Sequence, residues 1–259
     1  MDQKTLAAIN LRAVLRTLVQ LPALDPQAEQ ILLHDPITLQ FAATGVTKVR
    51  LRLGTGHVEY YPGGGPADMK LAFPAPVMVN KMFDGAGAPI PTKGITKIKY
   101  LLGPFTKLTD RLSYYLRPTP ELLADPEYAR VNAILTLHVA AYATAEVGNF
   151  DERGRAVAPN MTDGVIVLGV ADERDNQALT LVVEDHRFRV VDGEHRSEAG
   201  SGTKYAYMNF ANLDTAGQVL RGELASYPAI GRELISLGGY IPLLDSMNKL
   251  LGIVPFYLS

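Results

Sequence analysis

Met69-Lys70-Leu71-Ala72-Phe73, followed by Pro74-Ala75-Pro76-Val77-Met78-Val79-Asn80-Lys81-Met82-Phe83-Asp84-Gly85, passes from strand-like alternation to helical spacing within one stretch. The same outline returns about 137 residues later, in Ala206-Tyr207-Met208-Asn209-Phe210 followed by Ala211 to Gly222. Phe73 is matched by Phe210 and Gly85 by Gly222, and the bulky pair Met82-Phe83 by Val219-Leu220. Solenoid units recur at roughly 20 to 50 residues. A repeat this long therefore reads as two related domains.

Upstream of the first stretch, Ala7, Leu11, Val14 and Leu18 recur at helical spacing and predict a helix over 3–20, ended by Pro22 and Pro26. Alternation predicts strands at Ile37–Phe41 and Val49–Leu53, joined across Thr44-Gly45, then at His57–Tyr61 before Gly63-Gly64-Gly65. These three form an antiparallel meander. Pro76 suits the first turn of a helix running to Phe83. Beyond the loop Gly85–Pro91, Ile95-Thr96-Lys97-Ile98-Lys99 reads as an alternating strand, and Pro104 to Leu116 as a closing helix.

Arg117-Pro118-Thr119-Pro120, followed by Asp125-Pro126, breaks both helix and sheet and is the linker candidate, dividing the chain into 1–118 and 119–259. The second half repeats the order: a helix from Glu127 to Val147, strands at 165–168, 179–183, 188–191 and 205–210, a helix from Leu213 to Leu220, a strand near 235–237, and a helix from Ile241 to Leu251. Each half is then helix, four strands, helix, strand, helix. Helices gathered on one face of a mainly antiparallel sheet make an α+β domain.

The 259 residues suit two domains able to bury their own cores, and a chain 47% hydrophobic and 20% charged is that of a soluble globular protein. The absence of cysteine removes disulfides, thiolate zinc sites and cysteine nucleophiles, and makes a reducing cytoplasm the natural compartment. Met1-Asp2-Gln3-Lys4 leads into an amphipathic stretch with Asn10, Arg12 and Arg16, the pattern of neither a signal peptide nor a membrane span. Charge is uneven: residues 1–118 carry 14 Lys and Arg against 8 Asp and Glu, and the remainder 11 against 19. Solvated surface, attraction between the halves, and contact of the basic half with an anionic lipid surface all accommodate that difference.

Residues 67–112 resemble the sterol carrier protein type 2 family. The resemblance is carried by the strand Asp68–Phe73, the amphipathic helix Val77–Gly85, the Lys-rich alternation Lys93–Lys99, and the apolar helix opening at Gly103-Pro104-Phe105 and running to Leu112. Tyr205 to Leu251 repeats the outline more loosely, with Gly238-Gly239 in place of the lysines. The resemblance implies two tandem domains, each a mainly antiparallel five-stranded sheet covered by helices. A hydrophobic tunnel for sterols, fatty acids or acyl chains is implied between sheet and helices. Tyr257-Leu258-Ser259 lacks the peroxisomal Ser-Lys-Leu type of signal found in some members, so delivery by that route is not expected.

A tunnel of this kind binds through wall area: at roughly 0.8 kcal/mol per methylene, a chain of about 16 carbons gains on the order of 12 kcal/mol before ordering costs. The candidate walls are Met78, Met82, Phe83, Phe105 and Leu108 in the first half, and Leu213, Leu220, Leu243, Leu244 and Met247 in the second. Each is equally a residue type that fills an ordinary core. Leu250 to Leu258 is too short to span a bilayer; it is either a movable tip or the segment that completes the core of its own domain.

Lys48, Arg50 and Arg52 alternate with apolar residues, as do Lys97 and Lys99 about Ile98, which is the pattern of a strand with one wet face. No nucleic-acid motif accompanies them. His34, His57, His138, His186 and His195 are scattered, without metal-ligand or catalytic spacing. Glu184-Asp185-His186 reads as a hairpin turn, His138 as a satisfied core or interface histidine, and Gly54-Thr55-Gly56 and Gly63-Gly64-Gly65 as turns without the features of phosphate loops. The expectation is a non-enzymatic carrier of a hydrophobic small molecule, with no cofactor, no metal and no nucleic acid. An interaction module that keeps the fold with a filled tunnel is the alternative. An enzyme acting on a lipid-like substrate ranks last.

Overall fold

Period-two burial builds the first sheet. In the computed structural model, which describes residues 1–171, 177–195 and 203–258, β1 (Ile37–Ala43) and β2 (Thr47–Gly54) pair antiparallel, with Leu39 opposite Leu51 and Phe41 opposite Val49. All four of those side chains are fully buried. Ser259, the last residue of the C-terminal tripeptide considered above, lies outside the described residues. The chain divides into two compact units, Met1–Pro118 and Thr119–Ser259.

In the first unit β3 (His57–Pro62), β4 (Met69–Phe73) and β5 (Ile90–Lys93) complete a five-stranded sheet of order β3-β2-β1-β4-β5. The second unit contains β6 (Gly164–Val170), β7 (Gln177–Glu184), β8 (Arg187–Asp192), β9 (Lys204–Phe210) and β10 (Ile235–Gly239), ordered β10-β9-β6-β7-β8. Read from its other edge, the second sheet has the wiring of the first. Both sheets are mixed: β4 runs parallel to β1, and β9 parallel to β6, while the other pairings are antiparallel. The meander of three strands is therefore followed by a crossover that sets the fourth strand beside the first.

That crossover explains Gly63-Gly64-Gly65, which does more than turn the chain. Gly65 N–H donates to Gln40 Oε1 at 2.9 Å, and a Cβ at Gly65 would stand 2.8 Å from the Arg50 guanidinium. The connection lies flat on the sheet face away from the helices. On that face Arg50 stacks on Tyr61 at 5.2 Å and Arg52 pairs with Glu59 at 2.9 Å, so these two of the alternating cations are engaged by strand neighbours. Tight hairpins close β2–β3 and β7–β8 with two residues at positive φ, Thr55 and Gly56 in one, Asp185 and His186 in the other. Such turns match the twist of paired strands, and Glu184-Asp185-His186 forms the hairpin turn its residues suggested.

The helices cover one face. Asp2 caps the first, accepting from the N–H groups of Lys4 and Thr5, and the run continues from Gln3–Ile9 through a π-helical turn, Asn10–Val14, into a tighter turn, Leu15–Val19. The wide turn advances the buried stripe, so Leu15 is buried and Val14 is half-exposed, although spacing had placed Val14 on the stripe. The Pro126–Phe150 helix occupies the equivalent place in the second unit and is buried along most of its length. Its His138 is satisfied, with Nδ1 3.2 Å from the Tyr142 hydroxyl and Nε2 3.3 Å from Gln177 Oε1. Tyr142 donates in turn to Asp192.

One expected element is corrected. Ile95–Lys99 is not a strand: the edge strand is Ile90–Lys93, and a continuous helical run follows, through Ile95–Lys97, Ile98–Tyr100, Leu101–Phe105 and Thr106–Leu116. Ile95 and Ile98 are three apart, so the stretch satisfies helical spacing as well as alternation, and a run this short cannot be decided by period. Lys97 and Lys99 therefore share no sheet face, and the Lys-rich strand drops out of the family resemblance. Pro104 sits inside the π-helical segment, where the regular hydrogen-bond ladder is already interrupted.

The offset of about 137 residues recurs in the backbone. Phe73 and Phe210 end β4 and β9, and their carbonyls accept from Thr44 and Ala171 at 3.1 and 2.9 Å. Gly94 and Gly239, at φ 74 and 87, terminate the edge strands; a Cβ there would stand 2.1 Å from the Asp68 carbonyl and 2.3 Å from the Tyr205 carbonyl respectively. The difference lies between helix and edge strand, where the second unit inserts a helix, Ser226–Gly231. Ala229 of that helix is fully buried, and its carbonyl accepts from Leu234 N–H at 2.9 Å.

Candidate functional site

Burial separates the ten candidate wall residues. Leu213, Leu243, Leu244 and Met247 are buried in the second unit, and Phe105 and Leu108 in the first, with the Phe105 ring 5.6 Å from that of Phe41. Met78, Met82, Phe83 and Leu220 are half-buried. The Pro76–Phe83 helix turns Val79 and Asn80 inward instead of its methionines. Asn80 earns that position through a partner distant in sequence: it accepts from Asn10 Nδ2 at 3.1 Å and donates to Gln3 Oε1 at 2.9 Å. Met78, Met82 and Phe83 are thereby displaced toward the margin of the helix.

β5 is exposed along most of its length, and Val77, Ile90, Ile95 and Leu102 of the same unit are large apolar side chains left in water. Where such side chains adjoin one another, apolar surface marks a ligand groove, a membrane contact or a protein interface. In the second unit the inserted Ser226–Gly231 helix lies against β10, and the corresponding helix keeps only Val219 and Leu220 half-buried among its apolar residues. A separate surface depression of about 510 Å³, lined by Glu152, Arg155 and Ala156, involves none of the ten residues.

A polar feature of the first unit was not legible in the residue pattern. His34 lies in the turn that enters β1, where its carbonyl accepts from Thr55 N–H at 3.0 Å and its Nδ1 is 2.7 Å from the Asp35 carbonyl oxygen. Tyr100 lies on the helical run that replaces the expected strand, and its ring meets His34 edge-on, centroids 5.0 Å apart at 80°. His34 Nε2 and the Tyr100 hydroxyl are both buried without a hydrogen-bond partner. Burial pushes the Tyr100 phenol well above its ordinary range. His34 was visible as one histidine among five. Tyr100 was hidden by the mistaken strand, which assigned its neighbours to a sheet.

Other polar groups have structural work. Asp151 caps the Glu152–Val157 helix and receives the Tyr257 hydroxyl, while Val254 and Tyr257 are buried. The C-terminal segment is thus docked on its own unit. Asp25, almost fully buried, pairs with Arg111 at 2.6 Å and ties the Thr106–Leu116 helix to the Pro26–Ile31 helix that it caps. Among the described residues no cluster of three metal-ligating side chains occurs, and no helix is long and apolar enough to cross a membrane.

No family model matches the chain. No curated protein sequence matches it. Among solved structures it is similar to sterol carrier protein 2 from Yarrowia lipolytica in its apo form, at 11% identity and a TM-score of 0.34, over 43% of this chain and 92% of that one.

Proposed function

We propose that the protein binds and carries a hydrophobic small molecule through its first unit, without chemistry of its own. The observation that carries this reading is the apolar surface that unit leaves uncovered: Met78, Met82 and Phe83 are half-buried and Ile90, Ile95 and Leu102 are exposed. Covering such surface with an acyl or isoprenoid chain returns roughly 25 cal/mol per Å² of apolar area, and methionine adapts to ligands of varied shape. The sequence resemblance to the sterol carrier protein type 2 family supports the same class of ligand. A protein-interaction role fits the second unit better: its candidate wall is mostly core, and Tyr227 is 84% exposed on the inserted helix.

Native mass spectrometry of the full chain, with organic extraction and a delipidated control, tests the reading. A reproducible lipid-sized adduct, weakened by Met82→Glu with little change in stability, is expected. A mass that stays at the apo value across fatty acids, long-chain alcohols and isoprenoids would overturn it.

A further inference from the structure

The register of the first sheet sets one residue from each strand in a row across the face turned away from the helices: Tyr61, Arg50, Gln40, Lys70 and Lys93, each paired with the next. Lys48 and Arg52 lie on the same face, two residues to either side of Arg50 on β2. Five lysine and arginine side chains thus share this face with two carboxylates. Glu59 is taken up by Arg52, and Asp68 Oδ2 accepts from Thr38 N–H at 2.7 Å. Lys93 Nζ donates to the neutral Ala67 carbonyl, and among the described residues Lys48, Arg50 and Lys70 form no ion pair.

A wet strand face needs polar side chains, but not charges of one sign. The second unit is the internal comparison. With Phe73 set on Phe210, the two ladders align, and the positions of Lys48, Arg50, Arg52, Lys70 and Lys93 fall on Ala178, Thr180, Val182, Tyr207 and Gly238. No cation recurs, and Thr180 and Val182 are buried. The basic row is therefore a property of the first unit and not of the shared architecture.

We infer that this face docks on the headgroups of an anionic lipid bilayer. Arg50 and Lys93 are three strand spacings apart, roughly 14 Å, so the charge is spread as a field and not gathered around one anion. Tyr61 at one end of the row is exposed, as is Ile90, which pairs with Ala72 on the same face. An aromatic and an aliphatic side chain beside cations suit the boundary between headgroups and acyl chains better than a purely ionic track for a polynucleotide. This docking stands independently of the carrier reading.

The test is flotation of the full chain with vesicles of phosphatidylcholine alone and of phosphatidylcholine mixed with phosphatidylserine. Binding is expected to the mixed vesicles only, and to disappear at about 1 M salt, where screening acts within about 3 Å. Lys48→Gln combined with Lys70→Gln should weaken it roughly twentyfold, at about fivefold per cation. Lys48→Arg with Lys70→Arg should retain it. Lys97→Gln with Lys107→Gln removes the same net charge from the exposed helical run and should leave binding nearly unchanged. Equal losses from the two Gln pairs, indifference to phosphatidylserine, displacement by inorganic phosphate at constant ionic strength, or tighter binding to a single-stranded oligonucleotide would each overturn the inference.

Discussion

Tyr100→Phe removes a single oxygen, and the structure predicts that the ligand-free protein gains stability from the loss. The hydroxyl is buried and makes no hydrogen bond. Taking such a group from water without a partner costs about 1–3 kcal/mol. Phenylalanine keeps the ring and its edge-on contact with His34, and sacrifices only the few dispersion contacts of one atom, each worth about 0.1–0.2 kcal/mol. The net expectation is a gain of about 1 kcal/mol in the first unit, against the usual trend for a buried substitution. Native-state hydrogen exchange at the β1 and β2 amides is the suitable assay, because it reads this unit without requiring the whole chain to unfold in one step. Alkali supplies an independent check. The folded phenol is raised by burial, so the unfolded chain loses its proton first and folded-state stability declines as pH climbs past about 10. The phenylalanine variant should show a shallower decline. Loss of a kilocalorie or more on making Tyr100→Phe in delipidated protein would mean that the hydroxyl is bonded, and the reasoning about an unpaired donor would fail.

Three further perturbations probe the frame around the site. Arg111→Ala strands the buried Asp25 carboxylate and should cost about 3 kcal/mol, much of it recovered when Asp25→Asn is added; chemical denaturation of the two variants decides this. For Asp151, burial pushes the carboxyl up, but hydrogen bonds from Arg153, Tyr257 and the backbone of Gly154 and Arg153 outweigh it and hold the group below its usual range. Its stabilisation is therefore present above about pH 4 and disappears as the folded carboxyl protonates below that, and Asp151→Asn should flatten the acid limb of a circular-dichroism titration. Gly94→Ala forces a Cβ toward the Asp68 carbonyl and should cost about 2 kcal/mol or more in thermal unfolding, whereas Gly45→Ala, strained in φ but in open space, should cost about 1 kcal/mol.

How much of this was legible in the sequence depended on the range of the interaction that decides each feature. β1, β2 and the Pro76–Phe83 helix could be read directly, since alternation at Leu39, Phe41, Val49 and Leu51, a proline in the first turn and Gly85 after the last are all local signals. The recurrence of Phe73 as Phe210 and Gly85 as Gly222 was legible for the same reason: each marks the end of an element, where backbone geometry restricts the residue. Ile95–Lys99 was ambiguous because its two isoleucines fit either period, and only the docking of the following helix, with Phe105 over Phe41, settled it. The parallel placement of β4 against β1 likewise carries no local mark. Neither does the inward face of the Pro76–Phe83 helix, where tertiary structure buried Asn80 rather than the methionines because Asn10 supplied the hydrogen bond that burial requires. His34 and Tyr100 belong to the same class. Sequence alone shows a histidine before a strand and a tyrosine after a lysine; the fold brings their rings into contact and leaves a donor and an acceptor without partners.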